Sequence, residues 1–341
     1  MRVLKPIVEE TMPRIVRFHQ TGGPEVLKIA DEPLVQPKQG EVRLRVQALG
    51  LNRAEAMYRA GVYLEVPRLP SRLGYEAAGV IDAIGPGVSN VKIGDRVSTI
   101  PAFGQGDYGV YGESAVVPAA AVATYPESLT PEQGAALWMQ FMTAWIGLVL
   151  RGQLEKGQIA LITAASSSVG LAAIQIAKAT GATAIAVTRN SSKRARLLEA
   201  GADHVVVTEQ EELPARVAEI SGGNGANVIF DSVSGPYVET LAQAAAHGAT
   251  LIVYGLLDMR PTPFPLFAAF QKSLWMHAYA LFECTTNPAT VERGKRYIYD
   301  GLKSGHLKPI LDPKAFTLDQ IADAHRYLES NEQFGKIIVK V

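Results

Sequence analysis

From Ile159 to Tyr279 the chain alternates short apolar runs with amphipathic stretches. That alternation constrains the fold more than any other feature. The strand-like runs are Ile159–Thr163, Ala184–Thr188, His204–Val207, Val228–Asp231, Leu251–Tyr254 and about Leu274–Tyr279. Helical patterns lie between them at about 168–180, 191–200, 211–221 and 235–247. Continuous apolar strands joined by helical crossovers bury both faces of a parallel sheet. The expectation is an α/β chain with a doubly wound parallel sheet.

The first 130 residues have another rhythm. Glu41-Val42-Arg43-Leu44-Arg45-Val46 alternates polar and apolar, as a half-buried strand does. Glycines and prolines punctuate the rest, which suits a compact β-rich unit such as a partly closed barrel. Thr130-Pro131-Glu132-Gln133 then opens a helix, with a hydroxyl cap and proline at the first helical position. A strongly apolar helix should follow to about Leu150. After residue 281 a helix is expected near 288–304, and Gln333–Val339 ends the chain as a strand returning to the first unit. The expected division is 1–130 with 281–341, and 131–280 as the nucleotide-binding unit.

Bulk charge narrows the partners. Lys plus Arg and Asp plus Glu are equal at 33 each, so there is no long-range pull toward nucleic acid or an anionic membrane. The one cysteine, Cys284, cannot form an internal disulfide or a cysteine-based zinc site. A reducing, cytoplasmic setting fits. Residues 1–13 carry Arg2, Lys5, Glu9 and Glu10 and no apolar stretch, unlike a secretory signal. No membrane span is expected.

The most informative segment is Ile159-Ala160-Leu161-Ile162-Thr163-Ala164-Ala165-Ser166-Ser167-Ser168-Val169-Gly170. It reads as a strand, a small-residue turn and a helix start, which can present amides to a pyrophosphate. Against G-x-G-x-x-G, Ala165 and Ser167 replace two glycines and only Gly170 remains. The turn is either a phosphate cradle (Ser166, Ser167, Ser168, Val169, Gly170) or an ordinary serine-capped helix start. The second strand-like run is followed by Arg189 and Lys193, where an NAD site would place an acid. Charged hydrogen bonds to a 2′-phosphate, ~1.5–3 kcal/mol each, would favour NADPH over NADH by roughly 10- to 1000-fold. The alternative is a solvated basic helix start.

Four segments carry a family resemblance: Gly50-Leu51-Asn52-Arg53-Ala54-Glu55, Gly74-Tyr75-Glu76-Ala77-Ala78-Gly79, the turn Ala164–Gly170, and Gly335-Lys336-Ile337-Ile338-Val339. In order and spacing, from about Arg14 to Val341, the chain resembles the medium-chain dehydrogenase/reductase superfamily, and its zinc-independent, zeta-crystallin-like quinone oxidoreductases in particular. The resemblance implies a GroES-like catalytic domain, a Rossmann domain, a cleft between them, and a homodimer or higher oligomer. In the zinc alcohol dehydrogenases of this superfamily a Cys and a Gly-His-Glu motif supply metal ligands. Here Asn52 and Tyr75 look to stand there, and both are poor zinc ligands.

The resemblance also implies site residues. Asn52 would hydrogen-bond a substrate carbonyl or the nicotinamide ribose, or else be a turn residue. Tyr63, 11 residues on, resembles the proton donor of 2-enoyl thioester reductases, or else packs over the cofactor. Thr143 would lie near the nicotinamide, or else bond its own helical turn. Lys336 reaches the cofactor or only solvent. Gly255 would let the nicotinamide lie close, Asp231 and Ser232 are weaker candidates, and Glu55 and Glu76 read as structural. The histidines at 19, 204, 247, 277, 306 and 325 share no metal-ligand spacing. Phe264, Phe267, Phe270, Trp275 and Met276 form a pocket wall, a core or a dimer contact.

The expected activity is hydride transfer from NADPH to a small apolar acceptor, a quinone or another conjugated carbonyl. The first alternative is an enoyl thioester or alkenal double-bond reductase with Tyr63 as proton donor. The second is an NADPH-binding sensor or structural protein.

Overall fold

The computed structural model describes residues 12–341, so the expectations for Arg2, Lys5, Glu9 and Glu10 lie outside the described residues. The chain divides into two compact units: Met1–Ala135 with Lys314–Glu332 and Ile337–Val341, and Ala136–Pro313 with Gln333–Lys336.

The first unit is organised around the strand Glu41–Gly50. It pairs antiparallel with Glu76–Ile84, Ser114–Pro118 and Lys336–Lys340. Val42, Leu44 and Val46 turn to the core, as the alternation predicts. On the other face Arg43 Nε donates to Asp82 Oδ1 at 2.8 Å. Register shifts against Glu76–Ile84 fall at Arg43/Leu44 and Val46/Ala48. Such bulges bend a sheet toward closure, the barrel tendency read from the sequence. The final strand joins this sheet with Ile338 opposite Gly50 and Val339 opposite Leu49.

The second unit holds six parallel strands: Ile159–Ile162, Thr183–Thr188, His204–Val207, Ala226–Asp231, Ala245–Val253 and Trp275–Ala278. Their spatial order is third, second, first, fourth, fifth, sixth. This is the doubly wound order, reversing between the first and fourth strands. The core runs through Leu161, Ile185, Val206, Ile229 and Leu251, all fully buried. Each such side chain contributes roughly 1.5–3 kcal/mol on leaving water.

Three readings change. The helix expected at 235–247 is Tyr237–Gln243, because the next strand starts at Ala245. Residues 281–313 lie in the second unit, not the first. The helix Pro288–Ser304 covers the apolar helix Trp138–Trp145: Tyr299 packs edge-on against Trp138, and a Cβ at Gly294 would lie 2.4 Å from Met142 Sδ. Finally, the 21-residue stretch Pro131–Arg151 is long and apolar enough to cross a membrane, contrary to expectation. Its 18-residue window has mean hydropathy 1.2 and is 83% buried inside the fold, as a core helix is.

Candidate functional site

The turn at the end of the first strand is built without its usual glycines. Ala164 takes the left-handed conformation (φ 43°), and Ala165 is fully buried. Ser167 caps the helix Ser168–Thr180, its Oγ accepting from Gly170 N at 3.0 Å. Gly170 is required by contact: a Cβ there would lie 2.6 Å from Ala165 Cα. The first amides of a helix have no intrahelical acceptor. Gly170's goes to Ser167, while those of Ser168 and Val169 have no protein acceptor among the described residues. They mark the positive end of a 13-residue helix.

Ser166 faces elsewhere. Its Oγ accepts from Lys193 Nζ at 3.1 Å, and its carbonyl accepts from Gly335 N at 2.9 Å. Lys193 Nζ also donates to the Gln333 carbonyl at 2.9 Å. Of the basic residues beyond the second strand, Arg194 is paired with Glu211 and Arg196 lies 3.9 Å over the Phe334 ring. Arg189 is exposed and makes no ion pair among the described residues.

At the carboxyl edge of the sheet, Asp231 ties the first and fourth strands together. Its Oδ1 accepts from Thr163 Oγ1 at 2.7 Å and its Oδ2 from Ser234 N at 2.8 Å. Burial pushes its carboxyl pKa up against these bonds. Ser232 N donates to Thr163 Oγ1 at 3.0 Å. Gly255 is needed for packing, since a Cβ would lie 2.8 Å from Ser232 Cβ. The Tyr254 ring stacks on Phe230 with centroids 3.9 Å apart. Its hydroxyl lies beside Ser232 and Ser167 but makes no hydrogen bond of good geometry to either. Ser232 Oγ is likewise buried without a partner. Thr143 bonds its own turn, Oγ1 to the Met139 carbonyl at 2.5 Å, and its carbonyl accepts from Tyr279 Oη. Lys336 is fully buried, with its backbone N donating to the Ile310 carbonyl.

In the first unit, Asn52 caps the helix Arg53–Ala60 through a reciprocal capping box with Glu55. Its Nδ2 lies 3.0 Å from Glu55 Oε1 and 3.2 Å from Glu76 Oε2. Glu55 also accepts from Tyr75 N at 3.2 Å. Asn52, Glu55, Tyr75 and Glu76 thus meet, as the two motifs suggest, with both carboxylates in the structural role expected. Tyr63 is half-buried, with the Tyr75 phenol beside its hydroxyl. Burial, then the nearby Glu55 charge, raises the Tyr63 pKa well above an ordinary phenol. Tyr75 is raised too, first by its own burial and then by Tyr63.

Sequence reading missed Tyr75 as the partner of Tyr63, the orphan hydroxyl of Tyr254, and the approach of Gln333–Gly335 to the serine turn. A Tyr75 next to a motif glutamate could have been noticed. The Lys193–Gln333 contact spans 140 positions and leaves no local signal. Among the described residues no group of three or more His, Cys, Asp or Glu is placed to hold a metal ion.

A GroES-like β-rich unit joined to a doubly wound sheet with a serine-capped turn at its switch point defines the architecture of the medium-chain dehydrogenases. The family model described as alcohol dehydrogenase GroES-like domain matches residues 38–127, and the one described as zinc-binding dehydrogenase matches 168–296. The chain is 32% identical over 330 residues to the quinone oxidoreductase of Pseudomonas aeruginosa, covering 96% of this chain and 99% of that one. The solved quinone oxidoreductase of Escherichia coli complexed with NADPH superposes with TM-score 0.87 at 29% identity, covering 96% and 100% of the two chains. A solved NAD-dependent alcohol dehydrogenase superposes with TM-score 0.86 at 31% identity, covering 96% and 99%. The chain belongs to the medium-chain dehydrogenase/reductase superfamily, in its quinone oxidoreductase branch.

Proposed function

We propose that this chain is an NADPH-dependent, zinc-independent oxidoreductase that reduces a quinone or another small conjugated carbonyl. The observation that carries the reading is the open end of the helix Ser168–Thr180, with Arg189, which makes no ion pair among the described residues, 19 residues past Gly170. The quinone oxidoreductase relatives support it.

The residues fit such a nucleotide. The Ser168 and Val169 amides suit its pyrophosphate. Arg189 suits a 2′-phosphate, which a guanidinium grips with two parallel bonds. The buried hydroxyls of Ser232 and Tyr254 make no hydrogen bond of good geometry among the described residues and suit a polar ligand at the sheet edge. The residues do not fit a catalytic zinc. The Asn52 amide nitrogen is spent on two carboxylates, and Tyr75 holds a protonated phenol.

Bound NADPH would supply the hydride. Tyr63 keeps a proton at Oη across neutral pH and donates a hydrogen bond to the oxygen that gains charge. Asn52 holds Glu55 and Glu76 in place beneath it. Thr143, Gly255 and Lys336 shape the packed surroundings rather than offering free donors. A second reading, supported by the protonated state of Tyr63 at neutral pH, is reduction of an enoyl thioester or alkenal double bond, in which Tyr63 Oη gives its proton to the α-carbon.

The assembly follows from an exposed edge. The strand Trp275–Ala278 pairs only with Ala245–Val253 among the described residues. Trp275, Phe267 and Phe270 beside it are 72%, 82% and 77% exposed. Apolar groups of this size along an open edge suit a second copy of the chain, giving a homodimer.

The test is loss of reduced-nicotinamide absorbance with a quinone, an enone and an alkenal in parallel, using NADPH and then NADH. Turnover with NADPH and weak use of NADH supports the reading. A preference for the alkenal moves it to the second reading. Tight NADPH binding without turnover overturns both in favour of a sensor or structural protein.

A further inference from the structure

Tyr63 sits on a segment that the backbone barely holds. The turn after the helix Arg53–Ala60 closes with Val62 N donating to the Met57 carbonyl at 3.0 Å. The next backbone anchor is Ser71, which exchanges two hydrogen bonds with Phe18, at 2.9 and 3.0 Å. Residues 63–70 between them make no backbone-to-backbone hydrogen bond among the described residues. Apolar packing does not supply the lack, since Leu64 and Val66 are 77% and 78% exposed. Burial alternates along the segment, with Tyr63, Glu65 and Pro67 half-buried between exposed neighbours.

We infer that Glu65 is the positioning residue for Tyr63, pinning its segment to Gln105 and Gly106 so that Tyr63 Oη meets the acceptor in a fixed place. The Glu65 carboxylate uses both oxygens: Oε2 accepts from Gln105 N at 3.1 Å and Oε1 from Gly106 N at 3.0 Å. Small residues make room for it, since a Cβ at Gly106 would lie 2.9 Å from Glu65 Oε1 and one at Gly104 3.2 Å from it. Gln105 is fully buried, and its Oε1 accepts from Gly74 N at 3.2 Å. Tyr75 follows Gly74, lies beside the Gln105 side chain, and sets its phenol beside the Tyr63 hydroxyl. The contacts therefore form a circuit. Glu65 joins the Tyr63 segment to Gln105, Gln105 joins the Tyr75 motif, and the two tyrosines face each other. The other tether of the segment, the Arg68–Asp107 ion pair, is exposed on both sides and weighs little. Hydrogen bonds to an ionised carboxylate are the stronger kind, and Glu65 stands two positions from the tyrosine that it serves.

The inference rests on the proposal that Tyr63 serves the acceptor, and a double-mutant cycle tells the two apart. With NADPH as donor, kcat and KM for trans-2-hexenal and for 1,4-naphthoquinone are measured on wild type, Tyr63→Phe, Glu65→Ala and the double variant. A Tyr63→Phe variant that slows neither acceptor overturns the reading of Tyr63 and the inference with it. Where Tyr63→Phe lowers kcat for an acceptor, Glu65→Ala should lower the same kcat by roughly 10- to 100-fold, the usual cost of misplacing a reacting group by about 1 Å, with KM for NADPH unchanged. In the Tyr63→Phe background the same substitution should cost little more, because the group that Glu65 places is already gone. Glu65→Gln keeps one acceptor oxygen and should recover part of the loss. Arg68→Ala, which cuts the exposed tether, should leave kcat at the wild-type value. Hydrogen exchange at the Gln105 and Gly106 amides should quicken in Glu65→Ala and not in Tyr63→Phe. Should Glu65→Ala fail to fold, Glu65→Gln carries the cycle. An unchanged kcat in the Glu65 variants, losses that add in full in the double variant, or an equal loss in Arg68→Ala overturns the inference and leaves the reading of Tyr63 standing.

Discussion

Asn52 and Glu76, 24 positions apart, meet through an amide-to-carboxylate hydrogen bond of 3.2 Å. The same nitrogen serves Glu55 at 3.0 Å, and the two carboxylates are 1% and 0% exposed respectively. A neutral donor between two buried acids holds together a cluster that would otherwise repel itself. Asn52→Asp replaces that donor with a third carboxylate. The expected cost is about 3–5 kcal/mol at pH 7, the usual penalty for stranding a buried charge. Protonation relieves it, so the loss should shrink at pH 5. Urea titrations of both proteins at the two pH values check this; equal losses would show that charge is not the cause.

Tyr63→Phe separates the two acceptor chemistries. The phenol is raised by burial and by Glu55, so it stays protonated through neutral and mildly alkaline pH. If it protonates the α-carbon, its removal should lower alkenal reduction by roughly 10²-fold or more, the usual weight of a general acid. Quinone reduction, which needs no proton on carbon, should fall much less. Steady-state rates with both acceptors decide it. Equal retention of both activities would remove Tyr63 from the chemistry.

The alternation from Ile159 to Tyr279 was legible because hydrophobic periodicity is local. The meeting of the two motifs around Asn52 and Tyr75 was implied by the family resemblance and not by any local pattern. Other features were hidden by distance. Nothing near Lys193 announces Gln333, and nothing near Trp138 announces Tyr299. The helix Pro288–Ser304 reads as mixed because its outer face carries Glu292, Arg293, Lys295 and Arg296. Only the packing of Gly294 on Met142 shows which unit it belongs to. Thr143 illustrates a different limit. Its type and helix were evident, but whether its hydroxyl faced a ligand or its own turn depended on a rotamer.

The Trp275 edge predicts a change of assembly. An inserted charge on an exposed edge strand opposes pairing with another copy. Trp275→Lys should therefore convert a dimer into a monomer, with fold and thermal midpoint little changed because the side chain is exposed. Light scattering across a concentration series reads the mass. A wild type that is monomeric throughout would remove the dimer proposal.

His325 predicts an acid limit to stability. It is fully buried against Tyr111, with Nδ1 2.8 Å from Arg59 Nη1. Burial first, then the Arg59 and Arg53 charges, pull its pKa down from 6.5 to about 3. Between those values the unfolded chain binds a proton that the folded chain refuses. Stability is therefore fully present above pH 6.5 and falls as the pH drops toward 3, by at most about 1.4 kcal/mol per pH unit. A variant without the titrating ring, His325→Gln, should be less stable at pH 7 but should lose less between pH 6.5 and 4.5. Paired urea titrations across that range measure the two slopes, and parallel slopes would show that acid acts through other groups.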